Sequence, residues 1–230
     1  MLVVAETFGP TWQGEGPSLG RRAGFVRLGR CPLACTWCDT PYTWDWTRFD
    51  PSRELTERSA EDVAAEMLAL DVPLVVVTGG EPLVQQRHLP PLLRPLREAG
   101  IDVEIETAGV LAPSPDVVEL VSRFNVSPKL ASSGNPLDRR YKPDVLRTFE
   151  ASGRAAFKFV VTAAAVAADL DEVAAVVDEC GLTDVWIMPE GTDATTLTTA
   201  ARALADDVLG KGWNLTTRLH VMLWGDRRGV

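Results

Sequence analysis

Six short apolar runs recur along this 230-residue chain, and stretches with helical spacing separate them. The runs are Gly24–Leu28, Leu74–Thr78, Asp102–Glu106, Phe124–Ser127, Ala156–Val161 and Asp184–Met188, bounded by Gly, Pro or Asp and enriched in β-branched residues as strands are. Between them, Ser59 caps a helix running to Ala69, with Asp62 in the capping-box position. Asp169–Glu179 and Asp193–Leu209 carry apolar spacings of three and four. Leu89–Ala99 also reads as a helix, against the resistance of Pro90, Pro91 and Pro95. Gly100 and Gly181 stand where helices stop. Strand–helix alternation of this kind implies right-handed βαβ units and a mostly parallel sheet. About six units fall short of the ~250 residues of a closed eight-stranded barrel. The expected fold is therefore α/β, a partial, open β/α barrel of about six βα units in a single domain over residues 1–230. Ligands then gather at the C-terminal strand ends, where the unusual residues of this chain also lie: Gly29–Cys38, Thr78–Pro82, Glu106–Gly109, Ser127–Lys129 and Met188–Gly191.

Composition narrows the class. Lys and Arg number 23 against 32 Asp and Glu, a net charge of −9, and no basic block stands out, which argues against direct nucleic-acid binding. No apolar run reaches the roughly 18 residues of a membrane span, and the first residues lack the pattern of an export signal. The expected location is cytoplasmic.

Of four cysteines, Cys31, Cys35 and Cys38 lie in one loop after the first run, and Cys180 reads as a buried apolar residue. In a chain of this size without an export signal, clustered cysteines point to metal rather than disulfides. Three thiolates spaced C-x3-C-x2-C can wrap one face of an iron–sulfur cluster and leave one iron open to a small molecule. A zinc knuckle would need a second Cys or His pair nearby, and the only histidines are His88 and His220.

The C-x3-C-x2-C spacing, with aromatic Trp37 before the last cysteine, resembles the radical S-adenosylmethionine (SAM) superfamily. So does Thr78-Gly79-Gly80-Glu81-Pro82, which looks like that superfamily's GGEP element. The resemblance implies a [4Fe–4S] cluster on Cys31, Cys35 and Cys38, and SAM bound by Trp37, Gly79, Gly80, Glu81, Glu106, Thr107, Ser127, Lys129, Met188, Pro189 and Glu190. Gly79 and Gly80 would let backbone approach the cofactor closely. Glu81 or the adjoining carbonyls would accept from its α-ammonium group.

Both ends of the chain carry a narrower likeness. Phe8–Gly16, Gly24–Leu28, Cys38–Trp46 and Leu219–Val230 resemble the 7-carboxy-7-deazaguanine synthases. The likeness implies a radical SAM carbon–nitrogen lyase that contracts the ring of 6-carboxy-5,6,7,8-tetrahydropterin with loss of ammonia, on the route to queuosine and other 7-deazapurines. It also implies SAM regenerated in each cycle, Mg²⁺ held by Thr40, an external one-electron donor of flavodoxin or ferredoxin type, and a homodimer. Substrate contacts would fall on Thr11, Trp12, Gln13, Gly14, Glu15, Gly16, Arg27, Thr78, His220 and Val230. Gln13 and Glu15 suit the donor–acceptor edge of a pterin, and an Arg27 fork suits its 6-carboxylate. His220, at a strand-like end, suits substrate contact or a structural position. His88 reads as surface. Trp12, Trp37, Tyr42, Trp44, Trp46 and Trp224 cluster in the motif regions, some suited to core or a dimer interface and others to walling a dry cavity. A glycyl-radical-enzyme activase would share the cysteines and the GGEP element, but has no use for Gln13-Gly-Glu15-Gly or the Leu219–Val230 ending. A non-catalytic iron–sulfur or zinc protein would have no use for the GGEP element.

Overall fold

A computed structural model describes all 230 residues. One nine-stranded sheet runs through it: β1 (Leu2–Trp12), β2 (Arg22–Leu28), β3 (Thr56–Arg58), β4 (Leu74–Gly79), β5 (Asp102–Thr107), β6 (Arg123–Val126), β7 (Ala155–Val161), β8 (Val185–Pro189) and β9 (Asn214–Leu215). The strands lie in the order β3-β1-β2-β4-β5-β6-β7-β8-β9. Every pair from β2 to β9 is parallel, and β1 pairs antiparallel with both β2 and β3. No pair joins β3 to β9, so the sheet stays open, as expected from the number of βα units. All six expected strands are present within two residues of their predicted bounds; β1, β3 and β9 are additions.

Sequential order with right-handed crossovers places the connecting helices on one face of the sheet. Val63, Met67, Leu92, Leu93, Leu96, Phe149 and Leu170 from those helices pack there against Val26, Val77, Ile105, Phe124, Phe157 and Ile187 from the strands, in one 39-residue core. Pro90 and Pro91 fall in the first turn of the Pro90–Glu98 helix, where no N–H is required, while Pro95 lies inside it and forgoes the one bond to the Pro91 carbonyl.

The strands alternate with period two, although both faces are covered. Phe25 and Arg27 in β2, Val76 and Thr78 in β4, Glu104 and Glu106 in β5, Asn125 in β6, Lys158 and Val160 in β7, and Met188 in β8 all point away from the helices. Charged and amide groups on the inner face of a parallel sheet are costly unless they meet partners or ligands. That pattern marks the face on which the site is built.

Candidate active site

A cavity of about 320 Å³ opens on the polar face, in the size range of small-molecule sites. The cysteine loop forms one wall. β2 leads directly into it, and the end of β4 lies against it through Gly80 N–H to Leu28 O (2.9 Å) and Glu81 N–H to Arg30 O (2.8 Å). A Cβ on Gly79 would stand 2.1 Å from Leu28 O, and one on Gly80 2.1 Å from Arg30 O. The two glycines are thus required by the close approach of the end of β2 and the start of the cysteine loop.

All three loop cysteines line the cavity as free thiols. Asn135 Nδ2 donates to Cys35 Sγ at 3.2 Å, and Trp44 Nε1 donates to Cys38 Sγ at 3.3 Å. Hydrogen bonds to sulfur of this kind tune iron–sulfur potentials. Burial pushes the Cys31 thiol up to about 12 and raises that of Cys35, so iron must displace their protons as it binds. No three His, Cys, Asp or Glu side chains converge on a single point as a mononuclear zinc site demands. Separated thiols around a shared space suit a cluster, in which each thiolate takes its own iron. Trp37 Nε1 and Asn125 Oδ1, both on residues of the wall, are buried without a hydrogen-bond partner, as expected where ligand atoms complete the set. The donor set therefore fits a cluster with a polar molecule beside it.

Of the residues nominated for SAM, Trp37, Gly79, Gly80, Glu106, Thr107, Ser127, Lys129, Met188 and Glu190 line the cavity. Lys129 Nζ donates to Ser127 O and Oγ at 2.9 and 2.8 Å and sits 5.5 Å from the Trp37 ring centroid. Two nominations require correction. The Glu81 carboxylate is wholly buried behind the wall, where it accepts from Leu83 N–H, Ala108 N–H and Thr107 Oγ1. It holds the β4 and β5 ends together. Pro189 also lies off the cavity, since the period of two turns it to the helix face.

Of the substrate nominations, Trp12, Gln13, Gly14, Glu15, Arg27, Thr78, His220 and Val230 line the same cavity, with Thr40. Thr11 and Gly16 do not; Gly16 instead donates its N–H to Thr216 Oγ1 at 3.0 Å to hold the turn after β1. Glu106 joins the two sets, accepting from Gln13 Nε2 at 3.1 Å and from Thr78 Oγ1 at 2.8 Å. Arg27 donates through Nε to Glu6 Oε1 at 2.7 Å, and both its Nη groups lack a protein partner. That leaves the fork open for a carboxylate. Thr40 is buried, its hydroxyl 3.8 Å from Cys38 Sγ. His220 lies on a helix, Leu219–Trp224, not at a strand end. A Cβ on Gly14 would stand 2.0 Å from His220 Nδ1, so glycine alone admits the ring against the turn. Burial pushes the His220 pKa down and favours the neutral imidazole.

Several residues of the site carried no sequence signal. Lys158 and Arg218 both pair with Glu15, one at each carboxylate oxygen. Burial opposes the Glu15 charge, but Lys158 and Arg218 outweigh it and hold the carboxyl well below its ordinary range. Glu104 accepts from Ser18 Oγ and from Asn125 Nδ2, anchoring the turn that carries Gln13–Gly16. Only alternation along β5, β6 and β7 could have flagged Glu104, Asn125 and Lys158, and that requires the strand faces to be known; Arg218, just before the Leu219–Trp224 helix, has no such pattern. Among the aromatic residues, Trp12, Trp37, Tyr42 and Trp44 do line the cavity, whereas Trp46 and Trp224 are exposed outside it. Cys180 is buried in the core and His88 is on the surface, as read from the sequence.

Known proteins match this arrangement. Residues 26–130 fit the model of the Radical SAM superfamily. The chain is 40% identical over 221 residues to 7-carboxy-7-deazaguanine synthase of Pyrobaculum aerophilum, covering 94% of this chain and 92% of the relative. It is 32% identical to the Rhodopirellula baltica enzyme of the same name, over 100% of this chain and 89% of the relative. The crystal structure of QueE from Escherichia coli superposes with a TM-score of 0.69 at 27% identity, covering 95% of this chain and 94% of that one. With thiols, glycine turn and both chain ends converging on one cavity, and with relatives matched over nearly their whole length, this chain belongs to the 7-carboxy-7-deazaguanine synthase family of radical SAM enzymes.

Proposed function

We propose that this protein is a 7-carboxy-7-deazaguanine synthase, contracting 6-carboxy-5,6,7,8-tetrahydropterin with loss of ammonia in the biosynthesis of queuosine or a related 7-deazapurine. The observation that carries the proposal is that Gln13, Glu15, Arg27 and His220, from the two ends of the chain, line one cavity with the three thiols. Cys31, Cys35 and Cys38 would hold a [4Fe–4S] cluster, and Gly79–Gly80, Thr107, Ser127–Lys129 and Met188 would surround SAM. When bound, these groups supply the radical chemistry. The open Nη pair of Arg27 would take the substrate carboxylate. Gln13 and the ionised Glu15 would accept from the ring N–H groups and fix its orientation. Neutral His220, packed on Gly14, would offer its remaining ring nitrogen to the substrate. Thr40 would give Mg²⁺ one hydroxyl oxygen, in keeping with a metal that takes few protein ligands. The aromatic walls would keep water from the reacting atoms. The protein would work as a single-domain, cytoplasmic homodimer served by a flavodoxin- or ferredoxin-type electron donor.

The test is anaerobic reconstitution with iron and sulfide, followed by reductant, Mg²⁺, SAM and the carboxytetrahydropterin. Formation of 7-carboxy-7-deazaguanine that Cys35→Ala abolishes is the expected result. SAM cleavage without that product would leave a radical SAM enzyme with a different substrate.

A further inference from the structure

Arg218 touches three separate loops with one guanidinium. Its Nε donates to Glu15 Oε1 at 3.1 Å, its Nη1 to Gly191 O at 3.0 Å, and its Nη2 to the Asp39 carboxylate. Glu15 belongs to the turn after β1, Asp39 follows Cys38 directly, and Gly191 follows β8. No hydrogen bond joins residues 31–40 directly to residues 13–18, and Arg218 is the one-residue bridge between them. The side chain is only 9% exposed, so its charge must be met inside the protein. Two carboxylates and a carbonyl do so, and a planar fork fixes three directions at once where a flexible ammonium could not. Lys158, on β7, holds the other oxygen of Glu15, so the carboxylate is fixed from the sheet as well as from Arg218.

We infer that Arg218 is a positioning residue that ties the cysteine loop to the turn carrying Gln13–Gly16 and to the loop after β8. The register between a molecule on the cluster and a molecule on the Glu15 side is then set by this chain rather than by contact between the two ligands. The inference rests on the proposed function for its substrate, but not for the tie itself.

The tie is tested in the cluster-loaded protein with Arg218→Met and Asp39→Asn, by amide hydrogen exchange and by steady-state kinetics. Arg218→Met should speed exchange about tenfold or more in residues 13–18 and 36–40 together, the scale of a lost hydrogen bond to a charged group. Asp39→Asn should loosen residues 13–18 as well, although Asp39 touches none of them. For both variants the KM for carboxytetrahydropterin should rise about tenfold or more, while SAM cleavage without pterin stays within about twofold of native. A folded Arg218→Met protein with both segments within about twofold of native overturns the inference, as does an Asp39→Asn protein perturbed only in its own loop. If Arg218→Met does not fold, Asp39→Asn decides alone, because Asp39 is 42% exposed and its loss leaves the Glu15–Arg218 pair in place. If the native protein makes no deazaguanine, the functional reading fails, and the exchange measurement still judges the tie.

Discussion

Gly14 is where one hydrogen atom decides the geometry of the site. His220 Nδ1 occupies the place a Cβ would take, so Gly14→Ala must push the ring off the turn. Misplacements of about 1 Å cost around a hundredfold in rate when chemistry depends on alignment. Gly14→Ala should therefore lower product formation by about that factor while its melting temperature stays near native, as paired turnover and calorimetric measurements would show. Arg27 gives a complementary expectation. With Nε committed to Glu6 and both Nη groups free, Arg27→Ala should raise the pterin KM about 10- to 100-fold, with a smaller effect on a substrate analogue lacking the carboxylate. Equal losses on both substrates would remove Arg27 from carboxylate recognition. At this scale the sequence was legible in placement: Gln13, Arg27 and the three loop cysteines, singled out by motif, line one cavity. It was silent on Lys158, Arg218 and Glu104, whose residue types are ordinary and whose roles come only from tertiary partners: Glu15 for Lys158 and Arg218, and Ser18 and Asn125 for Glu104.

Among the elements, the parallel strands could be read because each is a short β-branched run bounded by turn residues. β1 could not, because Gly9 and Pro10 interrupt its pattern and register shifts fall between Val4 and Glu6 and between Phe8 and Thr11. β9 has two residues and β3 has three, too short for any periodicity to appear. Glu81 and Pro189 lie off the cavity for different reasons: the alternation of β8 turns Pro189 to the helix face, whereas Glu81, past the end of β4, is drawn inward to cap the turn at Leu83 and to accept from Thr107 and Ala108. The helix from Ala60 to Ala69 is a case where local signal and structure agree. Ser59 Oγ accepts from Asp62 N–H at 3.0 Å, as the capping pattern requires. Ser59→Ala should cost about 1 kcal/mol, seen as a lower urea midpoint with unchanged slope. A midpoint within error of native would show that packing alone holds that end.

For the molecule as a whole, the Lys158–Glu15–Arg218 cluster links stability to pH. Glu15 loses its proton more readily in the folded chain than the ordinary value of 4.5 allows, so the unfolded chain binds more protons in acid. Its contribution is complete above about pH 4.5 and declines as pH falls further. The urea midpoint of the native protein should therefore exceed that of Glu15→Gln at pH 6, and the gap should narrow progressively below about pH 4.5. A constant gap down to pH 3 would show that Glu15 is not held as a carboxylate. Burial also opposes the charge on Lys158, but Glu15 and Glu106 outweigh it and raise its pKa, so its share persists until strongly alkaline conditions.

The Glu15–Arg218 pair spans 203 positions, and Leu219 N–H reaches back to Gly14 O at 2.8 Å. Synthesis from the N-terminus at roughly 5–20 residues per second brings Cys38 out of the ribosome about 10–35 seconds before Arg218. During that interval the thiols exist without the wall that later encloses them. Until that wall forms the thiols stay open to oxidants, and slower translation of the last third of the message lengthens their exposure.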